Sequence, residues 1–253
     1  MAELLAQYTG LSVPLILGLA GFTAMAGLSR GFAGFGAALI FVPLASILIP
    51  PQMAVPVLWL IDFTLVMPLT IKGFRSANWG EIRNMIAGVI VGVPLGTWML
   101  ATLPQDPMRW VISILVLIAV AGLASGYRRT RPMSRPGMIA VGGAAGVGSG
   151  AAALGGPSVI VFWASSGTTS AAQMRMNIFA FFGLTGTLAG VMHFWFGLFT
   201  LEVLATSVLL GPIYALALYV GSRMFGMVSE SGFRRFALCL CAAAAIMVMP
   251  VWG

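Results

Sequence analysis

Charge is what this chain has least of. Of 253 residues, 13 are Lys or Arg, 6 are Asp or Glu and one is His, so 8% are charged against 60% hydrophobic. A soluble domain carries about 25% charged residues, and a chain with so few cannot cover an aqueous surface. Thiols are scarce too. The two cysteines, Cys239 and Cys241, stand two apart in an apolar stretch. On a helix that spacing points them to nearly opposite faces, so they read as packing residues rather than a disulfide or a metal pair. The single histidine, His193, leaves no Ser-His-Asp set to assemble and no His, Cys or carboxylate cluster at metal spacing. It reads as an interfacial residue near a helix end. Neither an enzyme nor a bound cofactor is expected. The 16 methionines are scattered without a Met-x-x-Met repeat, and core filling explains them. No Lys or Arg precedes the first apolar run, as a secretory signal would require, so the segment from Leu11 reads as a retained membrane helix.

What the chain does have is apolar length. About 20 apolar residues cross a hydrocarbon core, which allows at most roughly ten crossings here. The stretches are Leu11–Ser29, Phe32–Leu48, Met53–Ile71, Ile82–Leu103, Met108–Gly126, Gly137–Ser149, Pro157–Ser166, Ala171–Phe196, Leu201–Val220 and Phe233–Val251. The piece Pro157–Ser166 is too short to span: as a helix it covers about 15 Å, half the core. It reads as part of a re-entrant hairpin or broken pair, and Phe32–Leu48 invites the same reading. The expected fold class is all-α, a polytopic helical membrane protein.

Orientation follows from the basic residues. With the N-terminus outside and alternating stretches, every Lys and Arg except Arg109 falls in an inside loop, including Arg30, Lys72, Arg75, Arg83, Arg128, Arg129, Arg131, Arg135, Arg175, Arg223, Arg234 and Arg235. That asymmetry is the positive-inside pattern. It accounts for the net charge of +7 without nucleic acid. Both termini are therefore expected on the outer side of the membrane.

Two glycine-rich passages recur 121 residues apart: RGFAGFGAALIFVPLASILIPPQM from Arg30 and AAALGGPSVIVFWASSGTTSAAQM from Ala151. In register they pair Gly34 with Gly155, Phe41 with Phe162, Gln52 with Gln173 and Met53 with Met174. Farther on, Glu81 matches Glu202 and, after a four-residue insertion, Arg109 matches Arg234. Parity makes the two halves inverted repeats: 1–126 and 137–253, joined by a cytoplasmic linker 127–136. Broken helices duplicated in two halves are the best sequence pointer to a transporter's binding site.

Unwound backbone at membrane depth survives only where protein or a cavity surrounds it. There, half-helix N-termini offer N–H groups and partial positive charge to an anion. Gly155, Gly156, Pro157 and Ser158 suit that role, with Pro157 at a natural first helical position; Gly31, Gly34 and Gly36 would act from the opposite side, around one shared cavity. The competing reading is that these glycines only let helices pack closely. Arg30 and Arg175 sit at the edges of the broken stretches. They could form a basic vestibule that binds anion oxygens through a guanidinium fork, or simply anchor topology by reaching the headgroups. Asp62 is the one carboxylate far from a predicted helix end. Ionisable residues at that depth are costly and usually functional, which makes it a candidate proton carrier, or else the structural partner of a buried arginine.

At RGFAGFGAALIFVPL, GGPSVIVFWASS and RMNIFAFF, and also at WLIDF, GVPLGTWM and GSRMFGMVSESGFRRFAL, the chain resembles the sulfite exporter TauE/SafE family of bacterial membrane transporters. Where members of that family often read GGPP, this chain has Ser158. The resemblance implies transport of a small sulfur-containing anion, sulfite or an organosulfonate, across the inner membrane. Within those motifs the candidate substrate-binding residues are Arg30, Gly34, Phe35, Gly36, Gly155, Gly156, Pro157, Ser158, Arg175 and Asn177. The expected partners are thus a small anion and the lipid bilayer. The rival readings are an anion channel, and a membrane-embedded redox or assembly protein handling metal or haem. The latter would need facing thiolates or axial ligands.

Overall fold

The computed structural model describes residues 8–126, 133–165, 170–224 and 230–251. Among these the chain is all-helical, with ten principal helices. In order they are α1 (Val13–Ala33), α2 (Ala37–Leu48), α3 (Pro51–Ser76), α4 (Trp79–Thr102), α5 (Gln105–Ala124), α6 (Arg135–Ala152), α7 (Gly156–Ala164), α8 (Ala171–Trp195), α9 (Leu201–Met224) and α10 (Glu230–Met247). Six helices, namely α1, α3, α4, α5, α8 and α9, are long and apolar enough to cross a membrane among the described residues. The protein is a multi-pass membrane protein.

Helix order repeats as the sequence does. In each run of five the second helix is the short one, 12 residues in α2 and nine in α7. The ends of the first break differ from the sequence expectation. Helix α1 does not stop at Ser29 but runs through Arg30 to Ala33, so α2 starts at Ala37 rather than Phe32. The physical reason is that Arg30 has a partner inside the protein, described below, and does not have to leave the helix for water. The break itself needs glycine. Gly34 closes α1 at φ 75° with its N–H on the Arg30 carbonyl at 2.9 Å, and Gly36 opens α2 at φ 99°. Those left-handed conformations carry no penalty without a Cβ. In the second half the corresponding break spans 153–155, between α6 and α7.

The linker expected at 127–136 is shorter than that at its end. Helix α6 already begins at Arg135, with Ser134 as its cap accepting from Gly137 N–H at 3.4 Å, whereas 127–132 lie outside the described residues.

Two compact units are present, and they do not follow the two halves of the sequence. The first gathers the described residues up to Asp62, then Leu103–Leu117 and those from Gly197 on; the second holds Phe63–Thr102 and the described part of Ile118–Phe196. Within the first unit α1 lies along α9, and within the second α4 lies along α6. Each pairing joins the first helix of one half to the fourth helix of the other.

Glycine makes both pairings possible. Gly88, Gly92 and Gly96 on α4 face Gly142, Gly146 and Gly150 on α6, every fourth residue on each side. A Cβ at Gly92 would run into the Gly143 carbonyl, and one at Gly27 on α1 would stand 2.8 Å from the Tyr214 carbonyl of α9. Small residues at this spacing let membrane helices approach backbone to backbone. Gly31 belongs to the same contact, against Leu218 and Ser222. It is a packing residue rather than an anion donor.

In the first unit α2 is buried on nearly every side, from Ala37 and Leu39 through Ser46, as befits a helix that is apolar all round. Its C-terminal end is held by Arg109 of α5, whose Nε donates to the Ser46 carbonyl at 2.9 Å. A cation there also complements the helix dipole. The one basic residue at odds with the positive-inside pattern therefore has a structural use.

Candidate functional site

Three polar side chains meet in the first unit where three apolar helices pass. Asp62 is the twelfth of 26 residues in α3, and Tyr214 the fourteenth of 24 in α9. Arg30 enters from the last turn of α1. Its Nε donates to Asp62 Oδ1 at 3.1 Å, and the Tyr214 hydroxyl donates to the same oxygen at 2.6 Å. The second hand of the guanidinium, Nη1, donates to the carbonyl of Gly34 at 2.5 Å. The Arg30 side chain is 10% exposed and that of Asp62 26%, while Tyr214 is fully buried.

The arrangement joins two residues that the sequence named separately. Burying either charge alone would be costly; paired and hydrogen-bonded, they are tolerated at this depth. The cluster is also attached to the helix break, since Arg30 holds the carbonyl of the very glycine that ends α1. Phe35 and Gly36 follow directly in the 34–36 connection and are half-buried. Tyr214 is the residue that sequence reasoning missed. Tyrosine in membrane helices favours the interface, and one in mid-helix must find a partner for its hydroxyl. That anomaly was the available signal.

The second broken motif lies in the other unit. Gly155 caps α7, and Gly156, Pro157 and Ser158 form its first turn. Gly155 and Pro157 are buried, Gly156 and Ser158 half-buried. A Cβ on Gly155 would come within 3.1 Å of the Ala145 carbonyl, so this glycine packs. At Gly156 the nearest atom would be Phe182 Cζ at 3.4 Å, an ordinary contact.

Arg175, in the first turn of α8, is exposed. Asn177, one residue farther than the next, is fully buried and already engaged: its Oδ1 accepts from Asn78 N–H at 2.8 Å and from Gln173 Nε2 at 3.0 Å. The same Gln173 nitrogen donates to the Ser76 carbonyl at 2.9 Å. Together they fasten the turn between α3 and α4. Gln52, the repeat mate of Gln173, does similar work in the first unit by donating to the Leu103 carbonyl at 2.9 Å. Asn177→Ala is therefore expected to cost about 0.5–1.5 kcal/mol for each of the two hydrogen bonds lost. Thermal unfolding in detergent reads the loss, and an anion affinity that falls while stability holds would show that Asn177 contacts substrate instead.

His193 is fully buried, not interfacial. Its helical neighbours Phe194 and Trp195 are 75% and 79% exposed, and with those rings outward the helical period turns His193 inward. Cys239 is exposed and Cys241 buried, on different faces as their spacing requires.

Residues 19–248 match the family model for Sulfite exporter TauE/SafE. The chain belongs to this family. No match was found among curated proteins or among solved structures. The TauE/SafE match runs from within α1 to the end of α10, so both broken helices and the Arg30–Asp62–Tyr214 cluster fall inside it. Membership in a family of membrane exporters agrees with the six long apolar helices and makes the protein a transporter by family.

Proposed function

We propose that this protein is a secondary transporter that carries a small sulfur-containing anion, sulfite or an organosulfonate, across the bacterial inner membrane. The observation that carries this reading is the Arg30–Asp62–Tyr214 cluster, placed halfway along two long apolar helices and tied to a helix break. Ionisable groups at such depth mark substrate or ion pathways, and broken helices at corresponding positions of two halves mark binding sites.

Arg30 supplies the fixed positive charge and Asp62 is the group that would carry a coupling proton. In the first unit the connection Gly34–Gly36 offers backbone donors beside Arg30; in the second, the first turn of α7, Gly155 to Ser158, offers donors of its own and Arg175 an exposed cation. The repeated helix order and the exchange of α1 and α4 between halves favour inverted repeats that alternate access. The arginine asymmetry favours periplasmic termini and a cytoplasmic connection between α5 and α6.

The direct test is a thermal-shift screen with sulfite, sulfonates, carboxylates and sulfate, followed by uptake into proteoliposomes. Sulfite or a sulfonate is expected to stabilise the protein and to show saturable flux. Flux without saturation would make it a channel, and a carboxylate acting alone would displace the substrate class.

One substitution probes the second break. Gly156→Ala adds a methyl that fits beside Phe182, whereas Gly156→Leu fills the space before the α7 N-terminus. The leucine variant is expected to insert normally and lose transport, with the alanine variant close to wild type. Normal uptake by folded Gly156→Leu would leave this turn a packing role only.

A further inference from the structure

The Arg30–Asp62 pair is held by a single bond, and that is the informative detail. Asp62 Oδ1 receives both Arg30 Nε and the Tyr214 hydroxyl, while Oδ2 accepts no hydrogen bond among the described residues. On the arginine, Nε and Nη1 are engaged by Asp62 and Gly34, and Nη2 is engaged by none of the described residues, although nine-tenths of the side chain is buried. Arginine–carboxylate pairs often close as a two-bond fork. This one does not, so the guanidinium keeps donors for a second oxyanion.

Charge decides what must accompany that anion. Arg30 and Asp62 together are neutral. A monoanion added to them would leave one net negative charge in an apolar surrounding, which is costly. A proton on Asp62 restores neutrality. Among the described residues, the charged or titratable side chains facing Asp62 are Arg30 from α1 and Tyr214 from α9. Tyrosine can bond either state, because its oxygen accepts from a carboxyl and its O–H donates to a carboxylate, the latter bond being the stronger.

Resting on the transport reading above, we propose that Asp62 is a built-in substitute for the substrate anion. It occupies Arg30 while the site is empty, and releases it to a sulfur oxyanion on taking up a proton. One proton and one monoanion are then bound together. The empty and loaded sites carry the same net charge, so the carrier faces no extra electrostatic barrier when it changes state with its cargo.

The test is the pH dependence of anion binding to the purified full-length protein, from about pH 4 to pH 8, a range starting near the ordinary Asp value. Methanesulfonate is the probe because its own charge is constant there. Wild-type affinity should rise as pH falls, by up to about tenfold per pH unit, the slope of one linked proton. Asp62→Asn keeps an acceptor oxygen for Arg30 and Tyr214 but cannot ionise. It should bind as tightly as wild type at low pH and show a flat profile. Should that variant not fold, Tyr214→Phe removes a hydrogen bond that is stronger to the charged carboxylate than to the neutral carboxyl, and the profile should move toward higher pH. A wild-type profile already flat, one that Asp62→Asn leaves sloping, or one that Tyr214→Phe does not move overturns the exchange. If sulfonate and sulfite fail to bind while trifluoroacetate, a carboxylate ionised throughout this range, binds with the sloping profile, the substrate class is wrong and the exchange stands. Binding of no anion overturns both.

Discussion

Arg30→Ala is expected to end transport and to destabilise the folded protein by about 1–3 kcal/mol, the cost of a part-buried carboxylate losing its charged donor. Asp62 would be left with only the Tyr214 hydroxyl, and the Gly34 carbonyl would lose its donor at the helix break. Removing both charges separates the two consequences. Arg30→Ala combined with Asp62→Ala should recover much of the lost stability, because no buried charge remains, yet transport should stay absent. Thermal unfolding in detergent and vesicle uptake measure the two effects side by side. If Arg30→Ala protein is stable and carries anion like the parent, the cluster is a structural ion pair and the site lies on backbone donors.

Gly92→Leu is expected to abolish the folded state outright. A side chain there meets backbone on three sides: the Gly143 carbonyl, Val147 N at 2.9 Å and Gly146 Cα at 3.1 Å. Overpacking a core that can yield costs about 1–3 kcal/mol. Here the obstruction is the spine of α6 along several turns, so the helices must separate. Gly21→Leu on α1 is the control, since nothing lies within 4 Å of a Cβ there. Size-exclusion profiles of detergent extracts should show a monodisperse peak for Gly21→Leu and none for Gly92→Leu. A normal peak for Gly92→Leu would mean that α4 and α6 are not in backbone contact.

The breaks were legible because glycine and proline leave a mark in the sequence and because they occur twice. The short second helix of each half was legible for the same reason: ten apolar residues cannot cross a bilayer. Arg30 was harder. In a linear reading an arginine ends a membrane helix, and only a partner 32 residues away allows the helix to continue past it. Depth along one helix says nothing about which residue of another lies beside it, so Asp62 and Arg30 were both named without being joined. Tyr214 was passed over because one tyrosine among apolar residues resembles an interfacial anchor. Asn177 was named for the anion from its motif and Gln173 only as a repeat mate; in the fold both amide groups hold a turn.

The exchange of helices between halves also bears on how the chain is made. A ribosome delivers α1 long before its mate: 168 residues separate Ala33 from Leu201. At about 5–20 residues per second that is a wait of roughly 10–30 s. Throughout it, the nascent α1 carries an arginine and a bare glycine face with no α9 to cover them. Helix α4 waits less, because only α5 and its two connections lie between it and α6. The second unit is thus ready for assembly first, and the charged cluster closes only when the ninth helix arrives. A translocation machinery that can shelter a lone charged helix for that interval is as much a requirement of this sequence as the bilayer itself.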